Sequence, residues 1–191
     1  MDTLTGYCAS IFRVLGQPTR IEIVESLRIG ELCVADIILI IKQEQSNTSR
    51  HLSVMYSNGI LANRRVGHRT LYSLKHKELI LALLDSAKHS FFKDYADALK
   101  MLGQQTRMRI AEILTEGEVA LAELIRRVGG EQTNTAHHLA VMLEAGIVLT
   151  RMDARRRAFY KLTNQDYVLH LVESATQIMA QETLNRQRVL H

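Results

Sequence analysis

Leu15-Gly16-Gln17-Pro18-Thr19-Arg20 returns as Leu102-Gly103-Gln104-Gln105-Thr106-Arg107, 87 positions further along a chain of 191 residues. Held ungapped from Leu15 to Arg64, that offset gives 23 identities in 50 pairs, far above the few that chance allows, so the chain carries an internal duplication. Further on, Leu71-Tyr72-Ser73-Leu74 matches Phe159-Tyr160-Lys161-Leu162 at an offset of 88. One residue has been inserted between the two matches, where a hairpin tip tolerates it.

Both copies read alike. Pro18 suits a first helical turn, and Ile21, Ile23, Val24 and Leu27 recur at helical spacing, which predicts a helix ending near Gly30. Leu32 to Ile41 predicts a second helix, short and strongly apolar. Polar Gln43-Glu44-Gln45 then turns the chain into a third, from about Gln45 to Asn58, which Gly59 stops as Gly146 stops its partner. After that glycine the period changes to two: Ile60 to Arg65 and Arg69 to Leu74 read as strands around the tip Val66-Gly67-His68. Helix, helix, turn, helix, hairpin is the order of a winged helix-turn-helix domain, with flanking helices over Leu4 to Leu15 and His76 to about His89. The expected fold is mainly α with small β-hairpin wings, as two tandem winged helix-turn-helix domains over residues 1–90 and 91–191.

Composition narrows the function classes. With 47% apolar, 5% aromatic and 23% charged residues, one Pro and no Ser/Gly-rich tract, the chain reads as globular. No apolar run approaches the roughly 20 residues of a membrane span, and Met1-Asp2-Thr3-Leu4 lacks the charged start of a signal peptide, so a cytoplasmic, membrane-free protein is expected. No nucleophile–base arrangement, phosphate-cradling glycine loop or metal-hydrolase motif is present, and Gly129-Gly130 falls in the helix-turn-helix turn, so no enzyme is expected. The net charge of +4 is segregated: Lys42 to Lys75 holds six basic residues against one acid, and Arg126 to Thr163 seven against three. The rest of the chain is therefore acidic, and the two basic windows suggest two footprints on a polyanion, double-stranded DNA.

Leu15 to Arg20, then Gly30-Glu31-Leu32-Cys33-Val34-Ala35-Asp36, Asn47-Thr48-Ser49-Arg50-His51-Leu52 and Gly59-Ile60-Leu61, resemble in this order the ArsR family of metal- and redox-responsive repressors. The likeness covers nearly all of each repeat, the second keeping Gly117-Glu118-Val119 and Asn134-Thr135-Ala136-His137-His138-Leu139. It implies a repressor that binds operator DNA as a dimer joined through its terminal helices and lets go on sensing an inducer. The family's usual member has one such domain per chain. Here no Gly or Pro separates Lys75 from Leu102, and Leu79, Leu83, Ala87, Phe91, Tyr95, Ala98 and Leu102 continue an apolar stripe. The terminal helices that would join two subunits are thus joined in one chain, and an internal pseudo-dimer is expected, with a homodimer of whole chains as the alternative.

With Thr48, Leu52 and Met55 on the core face, Ser46, Arg50, Ser53 and Ser57 face outward, flanked by Asn47. Gln45 and Ser49 complete the candidate DNA contacts of this helix. Such a helix enters the major groove, where Arg bridges the two acceptors of guanine and Asn pairs with adenine. The second repeat offers Gln132, Thr133, Asn134 and His137, with Ala140 and Glu144 further along. Since the cores match and the reading surfaces differ, unequal half-sites are expected. The hairpins add Arg64, Arg65, His68 and Arg69 in one copy and Arg151, Arg155, Arg156 and Arg157 in the other, suited to the phosphate backbone or the adjacent minor groove. A winged-helix module that binds protein, and a constitutive DNA-binding protein without an inducer, remain alternatives.

Cys8 and Cys33 are the only thiols, and both lie in the first repeat, opposite Tyr95 and Ala120. The family's Glu-Leu-Cys-Val-Cys signature stands here as Glu31-Leu32-Cys33-Val34-Ala35, without its second cysteine. A one-sided soft-metal site at Cys8 and Cys33, a redox-switched disulfide between them, or two small buried hydrophobes all fit the pair. His76 and His89 with Glu78 and Asp85, and Asp166, His170 and Glu173 on the matching helix, are pairings that a hard metal uses, and exposed polar positions explain them equally.

Overall fold

The computed structural model describes residues 3–88, 95–129 and 131–189. The expected junction at residues 90–91, with His89, Phe91 and Gly130, lies outside them.

The first unit opens with α1 (Thr3–Leu15), which buries Cys8, Ile11, Phe12 and Leu15, and α2 (Pro18–Ser26), which starts on Pro18 and buries Ile21, Ile23 and Val24. The helix expected from Leu32 begins two residues later. Leu32 and Cys33 form β1 (Leu32–Cys33), paired antiparallel with Tyr72 and Leu71. The switch into α3 (Val34–Ile41) is fixed at Cys33, whose backbone N–H donates to the Asp36 carboxylate in a capping box. α4 (Gln45–Ser57) follows a turn through Lys42, which takes a left-handed conformation, and ends at Gly59, whose φ of +74° suits glycine. The wing is β2 (Leu61–Val66) and β3 (Arg69–Leu74), sheet order β1-β3-β2, and α5 (Lys77–Lys88) closes the unit.

The second unit repeats this order: α6 (Tyr95–Leu102), α7 (Gln105–Leu114), β4 (Val119–Ala120), α8 (Leu121–Val128), α9 (Gln132–Glu144), β5 (Val148–Met152), β6 (Ala158–Leu162) and α10 (Gln165–Val189), sheet order β4-β6-β5. Its extra residue sits in the wing tip, where Asp153 to Arg157 replace the tight Gly67-His68 turn. The chain is therefore mainly helical, with a small antiparallel sheet in each of two winged helix-turn-helix units.

The units meet through their terminal helices, α1 against α6 and α5 against α10, and one apolar core runs through both. The first crossing is reciprocal. A Cβ on Gly16 would stand 2.5 Å from the Lys100 backbone nitrogen, and one on Gly103 would stand 2.6 Å from that of Arg13. Arg13 and Lys100 are themselves 87 positions apart, so each contact is the other's image under the repeat, the pattern of a two-fold axis.

The contact of α10 with the first unit has a polar knot. Glu182, 4% exposed, accepts from Lys75 Nζ at 2.8 Å, lies 2.8 Å from His76 Nε2 and packs on Gly59. His76 is thus not an exposed polar position but a buried partner of the other unit's last helix. Burial pushes the Glu182 carboxyl up, yet the hydrogen bonds and charges of Lys75 and His76 outweigh it and hold the group below its usual range. Among the described residues no helix is long and apolar enough to cross a membrane.

Candidate nucleic-acid interface

α4 lies on α2 and α3 through Thr48, Leu52 and Met55, each at most 1% exposed. Three contacts bear on its position. Thr48 Oγ1 donates to the Glu44 carbonyl at 2.9 Å. Arg20 Nε donates to His51 Nδ1 at 3.2 Å while its Nη1 donates to the Val14 carbonyl, linking the helix to the end of α1. Gly59, just past its C-terminus, faces the Glu182 carboxylate, which a Cβ there would meet at 3.4 Å. Burial, then the charges of Arg20 and Arg50, lower the His51 pKa, so the ring is held neutral as the acceptor Arg20 needs. The outer face presents Gln45, Ser46, Ser49, Arg50 and Ser53 exposed, with Asn47 half-buried beside them.

In the second unit Thr135, Leu139 and Met142 face inward, and Gln132, Thr133, Asn134 and His137 are exposed on α9. His138 turns in, and burial followed by the charges of Arg107 and His137 lowers its pKa. The inner ties are looser here. Arg107 donates to the Met101 sulfur at 3.2 Å, while its Nε and Thr135 Oγ1 are buried without a hydrogen-bond partner among the described residues.

The wing arginines divide into two kinds. Arg64 is ion-paired to Glu31, and Arg151 to Glu118, so each braces its wing against the loop before β1 or β4. The hydrogen bond from each arginine holds its carboxylate below the usual range. Arg157 pairs with Asp153 at 2.7 Å, and both Arg151 and Arg157 lie over the Phe159 ring. Asp153 also accepts the backbone N–H groups of Arg155 and Arg157, which shapes the tip and sets Arg156 at φ +57°. Arg65, His68, Arg69, Arg155 and Arg156 are exposed and form no salt bridge with another described residue. In the sequence all of these stand alike as candidate DNA contacts. The signal for the braces was available, since Glu31 with Arg64 and Glu118 with Arg151 repeat together at the same offset.

The two thiols have separate surroundings. Cys8 lies 3.8 Å from Thr176 Oγ1 in the α1–α10 contact, and burial pushes its thiol up to about 11, leaving it protonated. Cys33 donates to Asp36 Oδ2 at 2.9 Å beside β3. Neither is disulfide-bonded, and among the described residues no three His, Cys, Asp or Glu side chains converge as metal ligands. His170 instead pairs with Glu173 on the surface of α10.

Residues 17–62 match the profile of the bacterial regulatory protein arsR family, and residues 102–151 that of a helix-turn-helix domain. The arsenical resistance operon repressor of Staphylococcus xylosus is 32% identical over 71 residues, 37% of this chain and 68% of its own length. Its namesake from Escherichia coli K12 is 38% identical over 65 residues, 34% of this chain and 56% of its own. The crystal structure of M. tuberculosis Rv0081 matches at a TM-score of 0.43 and 30% identity, over 48% of this chain and 90% of that one.

Proposed function

The chain belongs to the arsR family of bacterial regulatory proteins, and on that premise we propose that it is a sequence-specific transcriptional repressor whose two DNA readers sit in one polypeptide as an internal pseudo-dimer of units 1–90 and 91–191. The observation that carries the proposal is the reciprocal seating of Gly16 on Lys100 and Gly103 on Arg13. A two-fold of this kind offers α4 and α9 to neighbouring major grooves about one helical turn apart. Gln45, Ser46, Asn47, Ser49, Arg50 and Ser53 would read one half-site, and Gln132, Thr133, Asn134 and His137 the other. Arg50 stands where the second unit has His137, and Ser53 where it has Ala140, so the half-sites differ. Arg65, His68, Arg69, Arg155 and Arg156 hold the phosphates, while Arg64, Arg151 and Arg157 shape the wings.

A cytoplasmic location goes with this role. A thiol-reactive inducer would act in the first unit at Cys33, which borders the wing, since the Cys8 thiol is protonated and enclosed. A metal shared by Cys8 and Cys33 fits poorly with two thiols in separate surroundings, one of them engaged by Asp36.

Selection of bound duplexes from random sequence, followed by salt titration, tests the proposal. Two different half-sites are expected, and replacing Arg155 and Arg156 with Ala should flatten the log K against log salt slope by roughly 1.8, or about 0.9 for each lost phosphate contact. A perfect palindrome, or an unchanged slope, would overturn it.

A further inference from the structure

Ile29, Leu39 and Ile40 stand out from the first unit with 86%, 76% and 51% of their surface exposed. Leu39 and Ile40 lie on α3, and Ile29 in the loop before β1. At the repeat offset the second unit carries Glu116, Arg126 and Arg127, and there Arg127 is bonded to Glu116 at 2.6 Å while Arg126 is bonded to Glu123. The bond between Glu116 and Arg127 places the positions of Ile29 and Ile40 on one surface, within reach of two long side chains. One surface of the same fold is therefore charged and satisfied within itself, and its copy is apolar. The fold does not require apolar residues there, and large apolar side chains exposed together on one surface mark an interaction site.

We infer that the patch is the seat of a second copy of the chain, α3 against α3 about a two-fold axis at Leu39. Charge complementarity selects this occupant. Leu39 is exposed on α3, with exposed Asp36 one turn before it and exposed Lys42, the residue that caps the helix, three positions after it. An antiparallel pair centred on Leu39 sets Asp36 of each copy beside Lys42 of the other, and a parallel pair sets like charges together. Exposed Ala35 lets the helices approach closely. The second unit cannot substitute, because Arg126 and Arg127 would face their own copies. The inference rests on the reading that α1, α5, α6 and α10 are satisfied within one chain, which leaves a second copy only another surface to use.

A patch this small gives weak association, so the test is the mass of the full chain by sedimentation equilibrium from ~5 to ~500 μM. The wild type is expected to rise from 21.7 kDa toward twice that mass. Leu39→Arg with Ile40→Arg, residues that the second unit carries in the same fold, is expected to stay at 21.7 kDa while melting as a folded protein. Lys42→Glu should weaken the dimer at least fivefold at low salt, with the loss narrowing as salt rises. A wild type that stays at 21.7 kDa throughout overturns the inference and leaves the pseudo-dimer standing. Dimers that the double Arg variant leaves intact overturn both.

Discussion

Adding one methyl group at Gly16 should force apart the helices that join the two halves. A Cβ there would stand 2.5 Å from the Lys100 backbone nitrogen and 2.7 Å from its Cα, whereas ordinary contact needs 3.4–4 Å. Backbone cannot swing aside as a side-chain tip does, so α1 and α6 must separate by about 1 Å in a close-packed interior. Overpacking of this kind costs typically about 1–3 kcal/mol. For a protein of this size each kcal/mol lowers the melting temperature by roughly 2–4 °C, so Gly16→Ala should melt about 2–12 °C below the wild type. Gly103→Ala should behave alike, because its Cβ meets Arg13 at 2.6 Å. The control is Gly6→Ala, within α1. Its Cβ meets only the Gln105 side chain at 3.4 Å, and replacing a helical glycine by alanine gains about 0.5–1 kcal/mol. Melting is followed by circular dichroism at two protein concentrations, in the Leu39→Arg, Ile40→Arg background so that pairing through α3 adds nothing. A Gly16→Ala protein that melts with its parent would refute the crossing, and a midpoint that climbs with concentration would place it between chains.

Two further perturbations probe the asymmetry between the halves. Thr48→Val removes a satisfied hydroxyl and should cost about 0.5–1.5 kcal/mol, whereas Thr135→Val removes an unpartnered one and should be neutral or stabilising; equal losses of urea midpoint would count against this. Glu182→Gln keeps the shape of the buried knot and removes its charge. Breaking a buried pair costs about 3–5 kcal/mol, and a side chain 37% exposed, as Lys75 is, lowers this to roughly 1–3 kcal/mol. Because the folded Glu182 pKa lies below its ordinary 4.5, its contribution is present above that pH and fades as pH falls through the folded value. The deficit of the variant should therefore be full at pH 7 and shrink as the pH falls below 4.5; a deficit that does not change with pH would show that charge is not its source.

Helix order, the wing and the inner face of α4 were legible because they depend on periodicity, and the duplication supplied every pattern twice. β1 was not. Leu32 to Ile41 is apolar without a breaker, and a two-residue strand has no period of its own, so only the edge of β3 decides that Leu32 and Cys33 leave the helix. The burial of His76 was hidden for a related reason. Its partner Glu182 lies 106 residues away on a helix whose outer half has no described counterpart in the first unit. The braces Glu31–Arg64 and Glu118–Arg151 show the converse, a long-range contact that the repeat itself displays when both partners are tracked together.

The duplicate also shows where the halves have parted in mechanics as well as in surface. The positions of Lys75 and His76 are held in the second unit by Thr163 and Asn164, so no charge there can answer a carboxylate as Glu182 is answered. α4 is tied to the rest of its unit at its middle, where Arg20 bonds His51 and is itself bonded to the Val14 carbonyl. Among the described residues, α9 has an unpartnered hydroxyl and an unpartnered guanidinium nitrogen beneath it. Displacing α4 breaks formed bonds, whereas a small shift of α9 breaks fewer and can form new ones. On the DNA-binding reading proposed above, the first half fixes register on the duplex and the second adjusts to it, so base changes in the half-site under α4 should weaken binding more than equivalent changes under α9.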